Sequence, residues 1–359
     1  MQKKNFLTAE LQKRYDAFWN CDVYDRFLTF MSAGGAYLTR PEGMSDEEFA
    51  VYKWDRLDVR AELNRQRFER TKFYLDGFPT EYINFGPGSL AASIGGNYQF
   101  AVNTVWFDRN PVIQDWNTRP TIAFDPNTPL WQKTIDLMDR ILDNGVSFAS
   151  LPAIGSSVDL LASLRGTENL LYDLYDHPEE IKRALSEIRS AFRTAYMLLT
   201  DRMMARQEGM ATWMPIWCRD RYETLQCDFS AMISTDMFKE FVLPDLMEQS
   251  EFVGKTIYHL DGVAAIPHLD HLLSIPKVNA IQWSPGTGTG YVTDECWFEM
   301  YDKIQAAGKG LVLFVEKPEC LEKLIRHISP KGVFLSVYPN DDDMRAEIID
   351  MIEKMGTKK

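Results

Sequence analysis

The rhythm of apolar and polar positions changes twice along the chain. Through the first 75 residues apolar and charged positions mix at helical spacing, and Ser45 with Glu48 forms a capping-box pattern ahead of EEFAVYKWDRLDVRAELNRQRFERTKFYL. From about Thr80 to Trp131 the chain turns rich in Gly, Pro, Asn and aromatics, Trp106 and Trp116 among them, which suits long loops and short strands around a pocket. Beyond that, apolar runs and amphipathic stretches alternate. Ile181, Leu185, Ile188, Phe192, Tyr196, Leu199 and Met203 recur at spacings of three and four, predicting one long helix over 178–206 with Pro178 in its first turn. Apolar runs at 212–217, 256–260, 278–283, 310–315 and 332–337 read as buried parallel strands. Helical patterns at 236–252, 294–307, 318–327 and 341–354 separate or follow them. Such alternation predicts βα units and a parallel sheet. We expect an α/β fold, a (β/α)8 TIM barrel over 80–359 with an N-terminal helical extension over 1–79 packed on it. A doubly wound dinucleotide fold fits less well, because the late glycine cluster PGTGTG, Pro285 to Gly290, follows a late strand and lacks the Lys and Ser/Thr of a P-loop.

Composition narrows the class. With 359 residues, 45% hydrophobic and 13% aromatic, the chain can bury a large core without disulfide or metal staples. Its formal charge of -13 works against nucleic acid and anionic membranes, leaving small molecules or a protein partner, a second copy in a homodimer included. Cys21, Cys218, Cys227, Cys296 and Cys320 are odd in number, scattered and free of any CxxC pair, so a disulfide framework is not expected. The opening MQKKNFLTAELQKRYDAFWN carries no apolar signal region and no run of about eighteen apolar residues occurs anywhere. The expected location is the cytoplasm.

In a parallel barrel, residues closing the strands converge on one face, so polar groups at the ends of apolar runs are the first candidates. These are Arg219 after TWMPIW, Asp228 in LQCDFSAMIS, His259 and Asp261 after KTIY, Gln282 and Trp283 before SPG, Glu316 after LVLFV and Ser336 in GVFLSV. His259 and Asp261 alternate at period two and point the same way, and both can ligate a metal or move protons. The alternative reading makes them a pair that only satisfies loop backbone groups. Asp228 in apolar surroundings needs partners or a raised pKa, and otherwise serves as a cap. Trp217, Tyr258 and Trp283 are candidates for an apolar substrate wall with Arg219 and Gln282 as polar contacts, against core packing as the default. His268 and His271 read more simply as a solvated helix face than as a metal pair, and Cys218 and Cys227 as packing residues.

Several segments together resemble the superfamily of uroporphyrinogen decarboxylase and the cobamide-dependent methyltransferases: SLRGTENLLYDLYDHPEEI, LQCDFSAMISTDMFKEFVLPDL, YHLDG, IQWSPG, AAGKGLVLFVE and SPKGVFLSV, in that order from about Ser147 to Met355. The resemblance implies a (β/α)8 barrel with a deep cleft at the strand carboxyl ends. It also implies one of two activities, and the chain departs from both patterns. The decarboxylases' arginine-rich motif for a polycarboxylate is missing; FMSAGGAYLTR offers Arg40 alone. The methyltransferases' His-x-Cys zinc motif is matched by His259 but has Asp261 in the cysteine's place, and Ser336 stands near the later cysteine position. A zinc or other divalent ion would then sit among His259, Asp261 and Glu316, with His259, Asp261 and Asp228 as the catalytic groups. The expected function is methyl transfer from a small methylated substrate to a corrinoid on a partner protein. A decarboxylase of a tetrapyrrole or smaller acid, and a noncatalytic ligand-binding barrel, are the alternatives.

Overall fold

The computed structural model describes residues 3, 5–35, 38–107 and 110–355. Eleven strands are formed there: β1 (Leu28–Ala33), β2 (Lys72–Leu75), β3 (Thr80–Tyr82), β4 (Gln99–Phe100), β5 (Val105–Trp106), β6 (Phe148–Ser150), β7 (Glu223–Gln226), β8 (Thr256–Asp261), β9 (Val278–Ser284), β10 (Gly310–Val315) and β11 (Val333–Val337). The main sheet has the order β2-β1-β11-β10-β9-β8-β7, parallel throughout except for the antiparallel β2. Its central strands are covered on both faces, which is why GLVLFV and VFLSV run almost unbroken in apolar residues. A separate parallel pair, β3 with β6, and a small antiparallel hairpin of β4 and β5 complete the strands. As hydrogen-bonded among the described residues, the sheet does not close on itself.

The N-terminal helices are α1 (Ala9–Trp19), α2 (Asp46–Asp55) and α3 (Leu57–Arg70). The capping box opening α2 forms as expected, the Ser45 hydroxyl accepting from the Glu48 N–H while Glu48 accepts from the Ser45 N–H. Yet the expected all-helical extension contributes strands too: β1 lies beside β11, with Leu28 opposite Phe334. Next come α4 (Pro129–Asn144), α5 (Ser157–Arg165), α6 (Thr167–Asp176) and α7 (Pro178–Met204). The long α7 buries the expected stripe from Ile181 to Met203.

Two expected elements take another form. The run 212–217 is not a strand; only Met210 and Cys218 pair around it, since Pro215 lacks a donor and Trp217 is claimed by packing. The expected helix 236–252 is divided, with a π turn at Phe238–Val242 ahead of Leu243–Val253, where Pro244 cannot supply an N–H to the ladder. No helix among the described residues is long and apolar enough to cross a membrane.

Candidate active site

Along β8 Tyr258 and Leu260 are buried, while His259 and Asp261 alternate with them onto the opposite face. Register brings neighbours to that face: Gln226 of β7 and Gln282 of β9 both stand opposite His259. Asp228 opens the short turn that follows β7. The result is convergence of Asp228, His259 and Asp261, with one ligand-type atom from each lying within 4.8 Å of the others.

Hydrogen bonds fix how these groups present themselves. Gln282 is buried and donates its Nε2 to the Trp283 carbonyl at 2.8 Å, which turns Oε1 toward His259 Nδ1. Nδ1 is therefore the protonated nitrogen, and Nε2 keeps its lone pair. The Trp213 ring meets the imidazole edge-on, 5.3 Å between centroids. Burial lowers the His259 pKa, opposed by the Gln282 hydrogen bond and the charge of Asp261.

Beneath Asp228 lies a second carboxylate, Asp159 in the first turn of α5. It accepts from the backbone N–H of Asp228 (3.1 Å) and Phe229 (2.9 Å) and from the Ser156 hydroxyl (3.0 Å). These bonds hold the 228–232 turn in place. Burial raises the pKa of Asp159, as does the neighbouring Asp228 charge, against the pull of those backbone donors. Burial and then Asp261 raise that of Asp228. Three carboxylates thus crowd one imidazole, an arrangement that calls for a cation or a retained proton.

Two cavities meet at the cluster. One, of about 270 Å³, reaches Asp159 and Asp228 under an apolar wall of Val105, Trp106, Phe107, Phe229 and Met232. The other, of about 420 Å³, is bounded by Asp261, Gln282, Glu316 and the loop from Pro285 to Val292 that contains PGTGTG. Gly155 lets the chain pass under the first: at φ +91°, its added Cβ would stand 2.7 Å from Gly88 Cα.

The expected site residues divide accordingly. Asp228, His259, Asp261 and Gln282 come together. Glu316 lines the second cavity with Asp261 but is not one of the three converging ligand groups. Trp217 and Arg219 are elsewhere: Trp217 is buried, takes a hydrogen bond on its carbonyl from Trp19 of α1 and donates its indole N–H to Glu208, while Arg219 pairs with Asp16 of α1. Tyr258 is buried on the reverse face of β8, and Trp283 is buried, packs edge-on against Trp297 and lines the second cavity. Aromatic residues at strand ends were needed for the core instead. His268 is buried, bonded to the Ser230 carbonyl and stacked on Phe238 rather than on a solvated face. Cys218 and Cys227 are buried, their thiols pushed up in pKa by desolvation. Asp159, Gln226 and the 105–107 wall were not singled out by the sequence reading; only the aromatic, glycine-rich composition of 80–131 signalled a pocket there.

No protein-family model matches the chain, and no curated protein matches it in sequence. Among solved structures, a methyltransferase from Methanosarcina mazei superposes with a TM-score of 0.62 at 11% identity, covering 98% of this chain and 99% of that one. The two chains share a fold. The superposition spans nearly the whole length of both.

Proposed function

We propose that the chain is a methyltransferase that passes a methyl group from a small methylated substrate to a corrinoid carried by a partner protein. The observation that carries this reading is the meeting of Asp228, His259 and Asp261, with Asp228 also lining a small cavity walled by apolar side chains. The fold shared with the Methanosarcina mazei methyltransferase supports it. A cavity of about 270 Å³ lies at the small end of ligand pockets, so it suits the methyl donor while the bulky acceptor stays on its carrier.

One imidazole and two carboxylates form a nitrogen and oxygen donor set that fits zinc or a harder divalent ion, and the Gln282 bond to Nδ1 is the outer support that a metal-ligating histidine ordinarily has. Such an ion, when bound, supplies a Lewis acid at the leaving heteroatom. A reduced corrinoid on the partner would supply the nucleophile for the methyl carbon. With no ion bound, Asp228, made easier to protonate by desolvation and by the Asp261 charge, would give a proton to the heteroatom as it departs with the electron pair of the broken bond. Trp106, Phe107 and Phe229 offer aromatic faces against which the methyl group would pack. Among the described residues neither cavity is lined by Arg or Lys, so a polycarboxylate tetrapyrrole has no counter-charge here. We also infer a barrel in which β1, β3, β6, β7, β8, β9, β10 and β11 are the eight strands. Across the interrupted part of the ladder, the Leu151 N–H bonds the Ala211 carbonyl and the hydroxyls of Thr212 and Thr224 meet at 2.8 Å.

The test follows corrinoid absorbance on methylation with a panel of methylated ethers and amines. Asp261→Ala and Asp228→Asn should each lower the rate by about a hundredfold or more, with substrate binding less affected. Equal rates in wild type and both variants, or silence across the panel, would overturn the reading.

A further inference from the structure

Away from the carboxylate cluster, α2, α3 and β3 enclose a cavity of about 350 Å³. Arg60 and Arg67 sit seven residues apart on α3 and so share a helix face, and Lys53 reaches in from α2. Arg67 is committed to Glu81, its ion-pair partner on β3. Arg60 and Lys53 have no such partner: neither makes an ion pair among the described residues. The Arg60 Nη2 donates to the Asn84 carbonyl at 2.7 Å, but Nη1 is buried and finds no acceptor, and the guanidinium lies against the rings of Phe85 and Trp54. Lys53 Nζ bonds the Val102 carbonyl alone and rests over Trp54. Burial lowers the pKa of both, that of Arg60 to about 10, with the Glu81 charge pulling Arg60 the other way. In a chain of net charge -13, three cations, Lys53, Arg60 and Arg67, line one cavity with a single carboxylate, Glu81, among them.

We propose that this cavity binds the oxyanion group, carboxylate or phosphate, of a small molecule. A guanidinium with an unused N–H is the donor that pairs best with such a group, and an ammonium beside it adds charge without fixed geometry. The rings of Trp54 and Phe85 lie against the guanidinium and favour its staying in place. Arg67, Thr80 and Tyr82 also border the adjoining cavity, which extends to Trp213 and hence to the His259 ring. A molecule anchored by its anionic end at Arg60 is thereby aimed toward the carboxylate cluster.

Calorimetric titration of the intact chain with sodium phosphate and with sodium succinate, each at matched ionic strength and with sodium chloride as the blank, tests this. Saturable binding of either anion is expected, phosphate alone marking a phosphate site and succinate alone a carboxylate site. Arg60→Met should weaken it by about tenfold or more, the loss of one charge-assisted hydrogen bond, and Lys53→Met should weaken it as well. Lys354→Met, a surface lysine paired with Asp350, should leave it unchanged. If Arg60→Met does not fold, Lys53→Met decides. No saturable binding of either anion, or equal affinity in wild type and the pocket variants, would overturn the proposal whatever the outcome of the methylation assay.

Discussion

Glu223 begins β7 with its side chain buried. One carboxyl oxygen accepts from the Thr224 N–H at 2.9 Å and the other has no partner among the described residues. Burial pushes its pKa from 4.5 up to about 8, with only that backbone bond acting the other way. The sign of the pH effect follows. Below about pH 4.5 the group is protonated in folded and unfolded chains alike and adds no pH dependence. Between about 4.5 and 8 the unfolded chain releases a proton that the folded chain keeps, so stability falls by roughly 1.4 kcal/mol per pH unit. Above about 8 the loss is complete, at roughly 5 kcal/mol for a shift of about 3.5 units (8 minus 4.5). Glu223→Gln removes the titration while keeping the shape. Urea unfolding of both proteins at pH 5, 7 and 8.5 should show the variant's relative stability rising with pH, by about 4 kcal/mol over the range on this arithmetic. Two stability curves that stay parallel from pH 5 to 8.5 would refute a desolvated, unpartnered Glu223.

Two further outcomes are expected. Gln282→Leu deletes the acceptor that holds the His259 tautomer and should reduce zinc affinity by about tenfold to a hundredfold in a competition titration; unchanged affinity would release Gln282 from any positioning role. Gly155→Ala forces a Cβ against Gly88 at a left-handed backbone angle and should lower stability by about 1–3 kcal/mol in denaturant unfolding, a neutral result showing that the two segments can part without cost.

What could be read beforehand followed local periodicity. The strands ending at Asp261, Ser284, Val315 and Val337 and the stripe of α7 are each written within one segment, so the sequence analysis located them to within a residue or two. His259 and Asp261 shared a face for the same reason. Asp159 was hidden because it looks like an ordinary acidic residue in a first helical turn; its partners are N–H groups about seventy residues away. Trp217 misled in the opposite sense. An aromatic closing an apolar run resembles a pocket wall until α1, some two hundred residues earlier, is seen to cover it. The strand character of 28–33 was likewise invisible, since its partner β11 lies at the far end of the sequence.

That pairing has a consequence for how the chain reaches its native state. Leu28 meets Phe334, so the contact encloses a loop of about three hundred residues whose closure entropy, near (3/2)RT ln n, is roughly 5 kcal/mol. A ribosome making about ten residues per second exposes β1 for some thirty seconds before β11 exists. In that interval the local antiparallel partner β2, with Phe30 opposite Leu75, occupies the other edge of β1. The short strand that breaks the parallel rule of the sheet is therefore also the one available to shelter its earliest strand during synthesis, and the vulnerable period for aggregation ends only when the last strand docks.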